Sequence, residues 1–557
     1  MSNQNLPPSA EASVLFVTQA KGIQSYILAS DKLKDMVGAT EMVERMPGEF
    51  MQTVLDGLGI TKGEDYEILT VAAGSTRIRF ANSEHAERLA LVWPMVCAHL
   101  APGLEIVQTL QPLEGDYLRA IKDAEIALTL SRGRKDPPLP VVGPAVARAQ
   151  RTGGAAVDDV RKHADEPSER LDAATRAKRL LRDKVMDRAV PEVFKKLGLN
   201  EEKFAVPGDF NQIAGSDKDY LAVIHADTNG LGQLFIKLQE HFSKQAGTES
   251  YPVDQIEKFY IALSTTLAKV SSDAATQAII KSTEEELSPS ERSGALLGDT
   301  SSKKKPFWPM MPIVLAGDDL TIVFRSDLAL EFTRIYLEEV SQLSTTALKE
   351  LRSKFPALDL DNTLPESLSA GAGIAYVKPG FPYAAAYELS ESLAKNAKKT
   401  AKALAGTKTA SPSISFFRIS ASTTSTDFDT LRKHVLRGAR SLQLTMCPYF
   451  LDTEKPALED LNNLIEALDQ FPKGPPRELF SLLQSDLGRA QKHFERMLKV
   501  NPESAVPLKN AFQALLGKES CFQEGEAAAS PLGDALLLLG MKRRHKSKKN
   551  EVPATHD

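Results

Sequence analysis

Pro312-Ile313-Val314-Leu315-Ala316-Gly317-Asp318-Asp319-Leu320-Thr321-Ile322-Val323-Phe324 runs apolar and β-branched into Ala-Gly-Asp-Asp and leaves it in the same way. That pattern predicts a β-hairpin, with Gly317 free to take the positive φ of a tight turn. Adjacent carboxylates at the tip repel each other. A fold that keeps both needs a cation or hydrogen-bond donors to offset the cost. A hard divalent metal carrying phosphate oxygens is the simplest such cation, and a merely polar hairpin tip is the alternative.

Upstream, Tyr220 to His225 reads as a buried strand, followed by Ala226-Asp227-Thr228-Asn229-Gly230-Leu231-Gly232 and a helix through Leu238. Downstream, a helix is expected from Ser326 or Asp327, either able to cap it. A strand is expected over Ser367 to Val377, a helix over Tyr383 to Ala401 carrying Lys395, Lys398 and Lys399, and a last strand over Ser413 to Ile419. The amino-terminal part gives a similar series: strand Ser13 to Thr18 broken by Gln19 to Gly22, then strand, turn and strand around Ala73-Gly74-Ser75-Thr76. A helix over Ser83 to Leu100, a strand over Leu104 to Leu110 and a helix over Gly115 to Leu128 complete it. Strand-helix-strand-strand-helix-strand is the ferredoxin-like order.

The two series overlay as a repeat. Val14-Leu15-Phe16-Val17-Thr18-Gln19-Ala20-Lys21-Gly22-Ile23 falls on Ala222 to Leu231, and Ala73-Gly74-Ser75-Thr76 on Ala316-Gly317-Asp318-Asp319. In that overlay Asp227 meets Gln19, and Asp318 and Asp319 meet Ser75 and Thr76, so one copy carries three carboxylates and the other none. A ferredoxin-like sheet sets its first strand beside its central hairpin, which brings Asp227 within reach of Asp318 and Asp319. Three carboxylates beside a glycine loop and a helix start are the parts of a two-metal phosphoryl-transfer site. The loop Thr228-Asn229-Gly230-Leu231-Gly232 offers backbone N–H groups and a helix N-terminus to phosphates, and Lys395 and Lys398 share a helix face from which both could reach the same anion. Taken singly, each feature also has a plain reading: Asp227 as a helix cap, the lysines as solvated.

The remaining sequence frames this pair. A chain of 557 residues exceeds one core. The boundaries read as a first ferredoxin-like domain over 1–131, a helical linker over 132–215, a second such domain over 216–425, a helical domain over 426–540 and a basic, disordered tail over 541–557. The fold class expected is α+β. Arg161 to Leu197 is strongly charged with helical spacing, and the mixture of Arg170, Arg176, Lys178, Arg179, Arg182 and Lys184 with acids predicts a solvated face rather than a nucleic-acid surface. Ser282 to Lys305 reads as a mobile loop. A net charge of −5 excludes a chain that is basic overall, and three isolated cysteines make a disulfide framework or thiolate zinc site unexpected. With no signal-peptide pattern and no apolar run near the ~20 residues of a span, a cytoplasmic location is expected, without membrane contact.

These motifs resemble the large subunit of type III CRISPR effector complexes, the Csm/Cmr large-subunit family with two palm domains. Ala316-Gly317-Asp318-Asp319 is similar to that family's Gly-Gly-Asp-Asp signature, with Ala316 in place of the first glycine. Ile224 to Gly230 resembles the first motif of its second palm, Ser369-Ala370-Gly371-Ala372-Gly373-Ile374-Ala375 its next strand, and Ala386 to Lys398 its lysine-bearing helix. Lys21 to Ile27 and Lys34-Asp35-Met36-Val37-Gly38-Ala39-Thr40 are similar to first-palm motifs. The resemblance implies synthesis of cyclic oligoadenylate from ATP, with Asp227, Asp318 and Asp319 holding two Mg²⁺ or Mn²⁺ ions. Nucleotide would be bound by Asn229, Gly230, Gly232, Gly317, Ser369, Lys395 and Lys398, with a second nucleotide presented by Gly38, Ala39, Thr40, Gly74 and Ser75. Guide RNA, target RNA and other type III subunits are the implied partners, with a stand-alone or homo-oligomeric protein as the other expectation. The form expected is a shortened one without an HD nuclease domain, and Ala149 to Gly154 looks like the family's zinc-binding segment without its cysteines. A catalytically silent palm scaffold or nucleotide sensor is the alternative to the enzyme.

Overall fold

The structure, a computed structural model, describes residues 13–72, 74–113, 117–133, 143–161, 168–188, 204–215, 219–245, 252–284, 307–316, 319–406, 409–419, 425–525 and 528–542. Gly317 and Asp318, most of the loop expected after Ser282, and the basic tail lie outside these residues.

The first unit runs β1 (Val14–Lys21), α1 (Ile23–Ile27), α2 (Leu33–Arg45), α3 (Met51–Gly57), β2 (Tyr66–Ala72), β3 (Ser75–Phe80), α4 (Ser83–Leu100), β4 (Glu105–Pro112) and α5 (Tyr117–Arg132). Its sheet order is β2-β3-β1-β4, the ferredoxin-like arrangement. Where a break was expected at Gln19, β1 continues to Lys21, because β4 pairs with it down to Lys21 opposite Glu105. β3 alternates half-buried with buried residues, so only one of its faces meets the main core.

A linker follows with β5 (Asp158–Val160), β6 (Glu169–Leu171), α6 (Ala173–Arg188) and α7 (Phe210–Ala214). The expectation of a solvated basic face holds for Arg170 and Arg176, which are exposed, and fails for Lys178 and Arg179. Lys178 and Arg179 are buried, since this face of α6 docks on α2. The Lys178 ammonium sits 3.9 Å from the centre of the Tyr26 ring. Arg179 bridges buried Asp35 at 2.6 Å and Glu169 at 2.8 Å. Side chains hold the segment from Ala149 to Gly154: Arg151 pairs with Glu169 at 2.8 Å, Gln150 accepts from the Arg170 N–H at 2.7 Å, and Thr152 bonds Asp172.

The second unit contains β7 (Leu221–Thr228), α8 (Leu231–Gln245), α9 (Val253–Glu284), β8 (Met310–Ala316), β9 (Asp319–Arg325), α10 (Ala329–Lys354), β10 (Ala370–Val377), α11 (Tyr383–Ala405) and β11 (Ser413–Arg418). After β11 come α12 (Phe428–His434) and β12 (Tyr449–Phe450), giving the order β12-β11-β10-β7-β9-β8. Four of these strands, β10-β7-β9-β8, repeat the first sheet's order read as β4-β1-β3-β2. β10 is buried at every position, as its unbroken small and apolar sequence requires between two layers of helices. α10 begins at Ala329 rather than at a capping Ser326 or Asp327, because Asp327 is engaged by Arg325 at 2.6 Å.

The chain closes with α13 (Leu458–Asp469), α14 (Gly474–Ser485), α15 (Leu487–Val500), α16 (Pro502–Leu516) and α17 (Leu532–Leu539). Leu458, Leu461, Ile465 and Leu468 are buried together, as their spacing predicts. Asp486 separates α14 from α15, and its side chain caps α15 by accepting the Arg489 N–H.

The repeat extends to an irregularity. Both hairpins carry a β-bulge at the same step, at Leu69 between Ile68 and Thr70 and at Ile313 between Pro312 and Val314. A bulge inserts one unpaired residue, so coincidence at one register position points to duplication. The register also moves the sequence overlay by one residue. Thr76 opposes Thr18 where Leu320 opposes Ala226, so Ser75 corresponds to Asp319 and Gly74 to Asp318. Only pairing across the strands could reveal this, because both hairpin tips are runs of small residues.

The two units contact each other reciprocally. α2 lies on β8, and α9 lies on β2. Thr40 Oγ1 donates to the carbonyl of the bulged Ile313 at 2.7 Å, and Arg79 meets Glu257 at 3.0 Å.

Candidate active site

β7 and β9 pair up to Ala226 opposite Leu320, so the next step of the ladder sets Asp227 beside Asp319. Directly opposite residues of an antiparallel pair project from the same face. Two steps back on that face, His225 meets Thr321, Nδ1 to Oγ1 at 3.1 Å, and its Nε2 lies 3.7 Å from Asp319 Oδ1. The Tyr387 ring of α11 meets the imidazole edge-on at 5.7 Å. Burial pushes the His225 pKa down against the opposing pull of Asp227, which favours a neutral ring.

Asp227 is ion-paired with Lys398 from α11. The approach depends on β10. Gly371 faces Asp227 across the ladder, and a Cβ on it would stand 2.6 Å from Lys398 Cγ. A Cβ on Gly373 would stand 2.0 Å from the Ser390 carbonyl oxygen. These glycines let α11 rest on the sheet closely enough for Lys398 to cross it. The Ser-Ala-Gly-Ala-Gly stretch thus has a packing explanation that its sequence alone does not supply.

Beyond Asp227 opens a cavity of about 1220 Å³, walled by the loop Asn229 to Gly232 and by Lys398, Lys399 and Lys402. Gly230 takes φ 73, as Gly22 takes φ 64 at the same point of the first unit. The Asn229 side chain donates to Ser369 Oγ at 2.9 Å and its backbone N–H to the Ser369 carbonyl at 2.8 Å. Ser369 is buried, so it fixes the loop rather than facing the cavity.

Other expected residues fall elsewhere. Lys395 is exposed and paired with Glu391 at 2.7 Å, away from the cavity wall. Gly38 is pressed against α6, where a Cβ would stand 2.0 Å from the Lys178 carbonyl oxygen, and Ala39 is fully buried. Neither presents surface to a ligand. Gly74 receives the Ala20 N–H at 2.6 Å and donates to Val43, while Ser75 pairs with Gln19. Thr40 and Asp319 both line a smaller cavity of about 290 Å³ between the units. Sequence reasoning did not assign Lys399, Lys402 or His225 to the site. Lys402 follows Lys398 by one helical turn, a spacing that would have singled it out.

Asp227 and Asp319 are hard oxygen donors suited to Mg²⁺ or Mn²⁺. Lys398 supplies the compensating charge at Asp227. Among the described residues no group of three or more His, Cys, Asp or Glu side chains could hold a metal ion. The third carboxylate of the expected set, Asp318, lies outside them.

No protein-family model matches the chain and no curated protein matches it. Among solved structures it is similar to a Csm1–Csm4 cassette in complex with cA4, at 13% identity over 96% of this chain and 70% of that chain, with a TM-score of 0.49. It is similar to Csm1 in T.onnurineus at 14% identity, over 96% and 70% of the two chains, with a TM-score of 0.45. A Csm1–Csm4 subcomplex in the type III-A CRISPR-Csm interference complex shares 15% identity over 70% and 54%, with a TM-score of 0.39. All three likenesses stand below 25% identity and below a TM-score of 0.5.

Proposed function

We propose that the chain is an ATP-dependent, metal-dependent nucleotidyltransferase that makes a cyclic oligoadenylate messenger in antiviral defence. It would act as the large subunit of a type III CRISPR complex, with its guide and target RNA, or as a relative working alone. One observation carries this reading. Asp227 and Asp319 stand at neighbouring ladder positions, Asp227 on the larger cavity walled by a glycine loop and a lysine row, Asp319 on the smaller cavity between the units. The duplicate unit has Gln19 and Ser75 at those positions. A scaffold has no physical need to keep two repelling carboxylates in one copy only.

In the proposed reaction the 3′-hydroxyl oxygen of one ATP bonds to the α-phosphorus of another, and the bond to pyrophosphate breaks. Asp227, Asp318 and Asp319 would hold two Mg²⁺ or Mn²⁺ ions, which when bound acidify the attacking hydroxyl and offset developing charge. The N–H groups at the start of α8 would receive phosphate oxygens. Lys398, a mobile point charge, would exchange Asp227 for phosphate as nucleotide enters, with Lys399 and Lys402 along the polyphosphate. The smaller cavity containing Thr40 would seat the second nucleotide, presented by the first unit.

Incubation with ATP and Mn²⁺, with and without RNA, should yield cyclic adenylate products detectable by mass spectrometry. Asp318→Ala with Asp319→Ala should abolish them while circular dichroism stays unchanged. Nucleotide binding without product under all conditions would overturn the enzyme reading. A silent nucleotide sensor would then be the better account.

A further inference from the structure

The duplication includes the helix after the fourth strand. α5 opens on Tyr117 and α11 on Tyr383, Glu125 and Glu391 stand at the same step, and Arg132 stands at the step of Lys398. In the second unit Lys398 pairs with Asp227. In the first, Arg132 Nη2 donates to Gln19 Oε1 at 2.6 Å. The contact is kept while its carboxylate is gone. A second cation joins it, because Arg77 holds the ladder position that Thr321 holds in the other copy.

The filling of this space differs too. The rings of His225 and Tyr387 occupy it in the second unit, 5.7 Å apart. Val17 and Ile121 stand at the corresponding steps in the first. What the rings would fill is a cavity of about 300 Å³, with Val17, Ile121 and Leu128 as an apolar floor and Gln19, Arg77 and Arg132 as donors. Glu125 is the single carboxylate in its lining.

We propose that this cavity is a separate ligand site, taking a small phosphate monoester such as a nucleoside monophosphate. Two guanidinium forks match phosphate oxygens bidentately, and the apolar floor suits the carbon body of the ligand. The volume lies at the small end of ligand pockets. Without a carboxylate pair, binding here involves no turnover. The inference rests on the cavity and its charge, independently of any activity at Asp227.

Calorimetric titration of the full chain with adenosine 5′-monophosphate, without added metal, tests it. A Lys398→Ala, Lys402→Ala background removes the lysine row of the larger cavity. In that background one equivalent should still bind. Adding Arg132→Ala, at the exposed end of α5, should weaken binding at least tenfold. Adding Ile121→Tyr, which restores the ring of the other copy, should remove binding with the thermal melt unchanged. No binding in the background variant would overturn the proposal, as would binding that neither Arg132→Ala nor Ile121→Tyr alters.

Discussion

At Gly373 the approach of α11 to β10 leaves no room for a single methyl group, whereas at Gly371 the nearest atom belongs to the flexible stem of Lys398. The two glycines therefore predict different outcomes. Gly373→Ala forces backbone apart in a close-packed layer and should cost about 1–3 kcal/mol, read as a lowered urea midpoint. Gly371→Ala should cost less stability but turn Lys398 away from Asp227, weakening nucleotide binding more than folding. Equal destabilisation by both would show that Lys398 is not placed by Gly371. Glycine at these positions was visible in the sequence. Its reason was not, because the atoms a Cβ would strike belong to a helix about twenty residues away along the chain.

At the scale of elements, α17 is tied to the strand region before it by one buried carboxylate. Asp534 Oδ2 accepts from Thr445 Oγ1 at 3.1 Å, the Met446 N–H at 2.8 Å and the Tyr449 hydroxyl at 2.7 Å. Burial outweighs these bonds and pushes its pKa up to about 6. An acid whose folded pKa is raised binds more protons when folded, so its contribution is full below the ordinary aspartate range and is lost as pH rises through about 6. Asp534→Asn should flatten that fall between about pH 4 and 6, seen in melting temperature against pH. An unchanged slope would assign the titration elsewhere. The element boundaries in the sequence met the observed ones at α4, expected and found over Ser83 to Leu100. They failed where tertiary pairing decided, as when β4 held β1 together to Lys21 or Arg325 took Asp327 from its capping role.

For the whole molecule, the linker is fastened to the first unit by Arg179, which joins Asp35 on α2 to Glu169 on β6. Removing one partner of a buried pair leaves the other charge unpaired. Arg179→Met should therefore cost about 3–5 kcal/mol. The Arg179 and Arg151 guanidiniums hold Glu169 down at about 2, so that carboxylate's contribution is present above its ordinary range and lost only as pH falls through about 2. The destabilisation should accordingly persist across neutral pH. α2 also carries Thr40, bonded to the bulged strand β8 of the hairpin that bears Asp319. If the variant's thermal melt splits into two transitions, linker and core are separable; a single lowered transition shows one cooperative body.

The sequence by itself determined that two ferredoxin-like units are present, that one keeps carboxylates the other lacks, and that a glycine loop stands beside them. These are local patterns, written in residues near one another along the chain. The one-residue correction of the hairpin overlay, the ion pair between Asp227 and Lys398, and the inverted charge at Gln19, Arg77 and Arg132 were decided only by the tertiary structure. Each depends on which residue of one strand or helix faces which residue of another. Spacing along a single segment carries no record of that register, because it is set by the packing of the whole sheet against its helices.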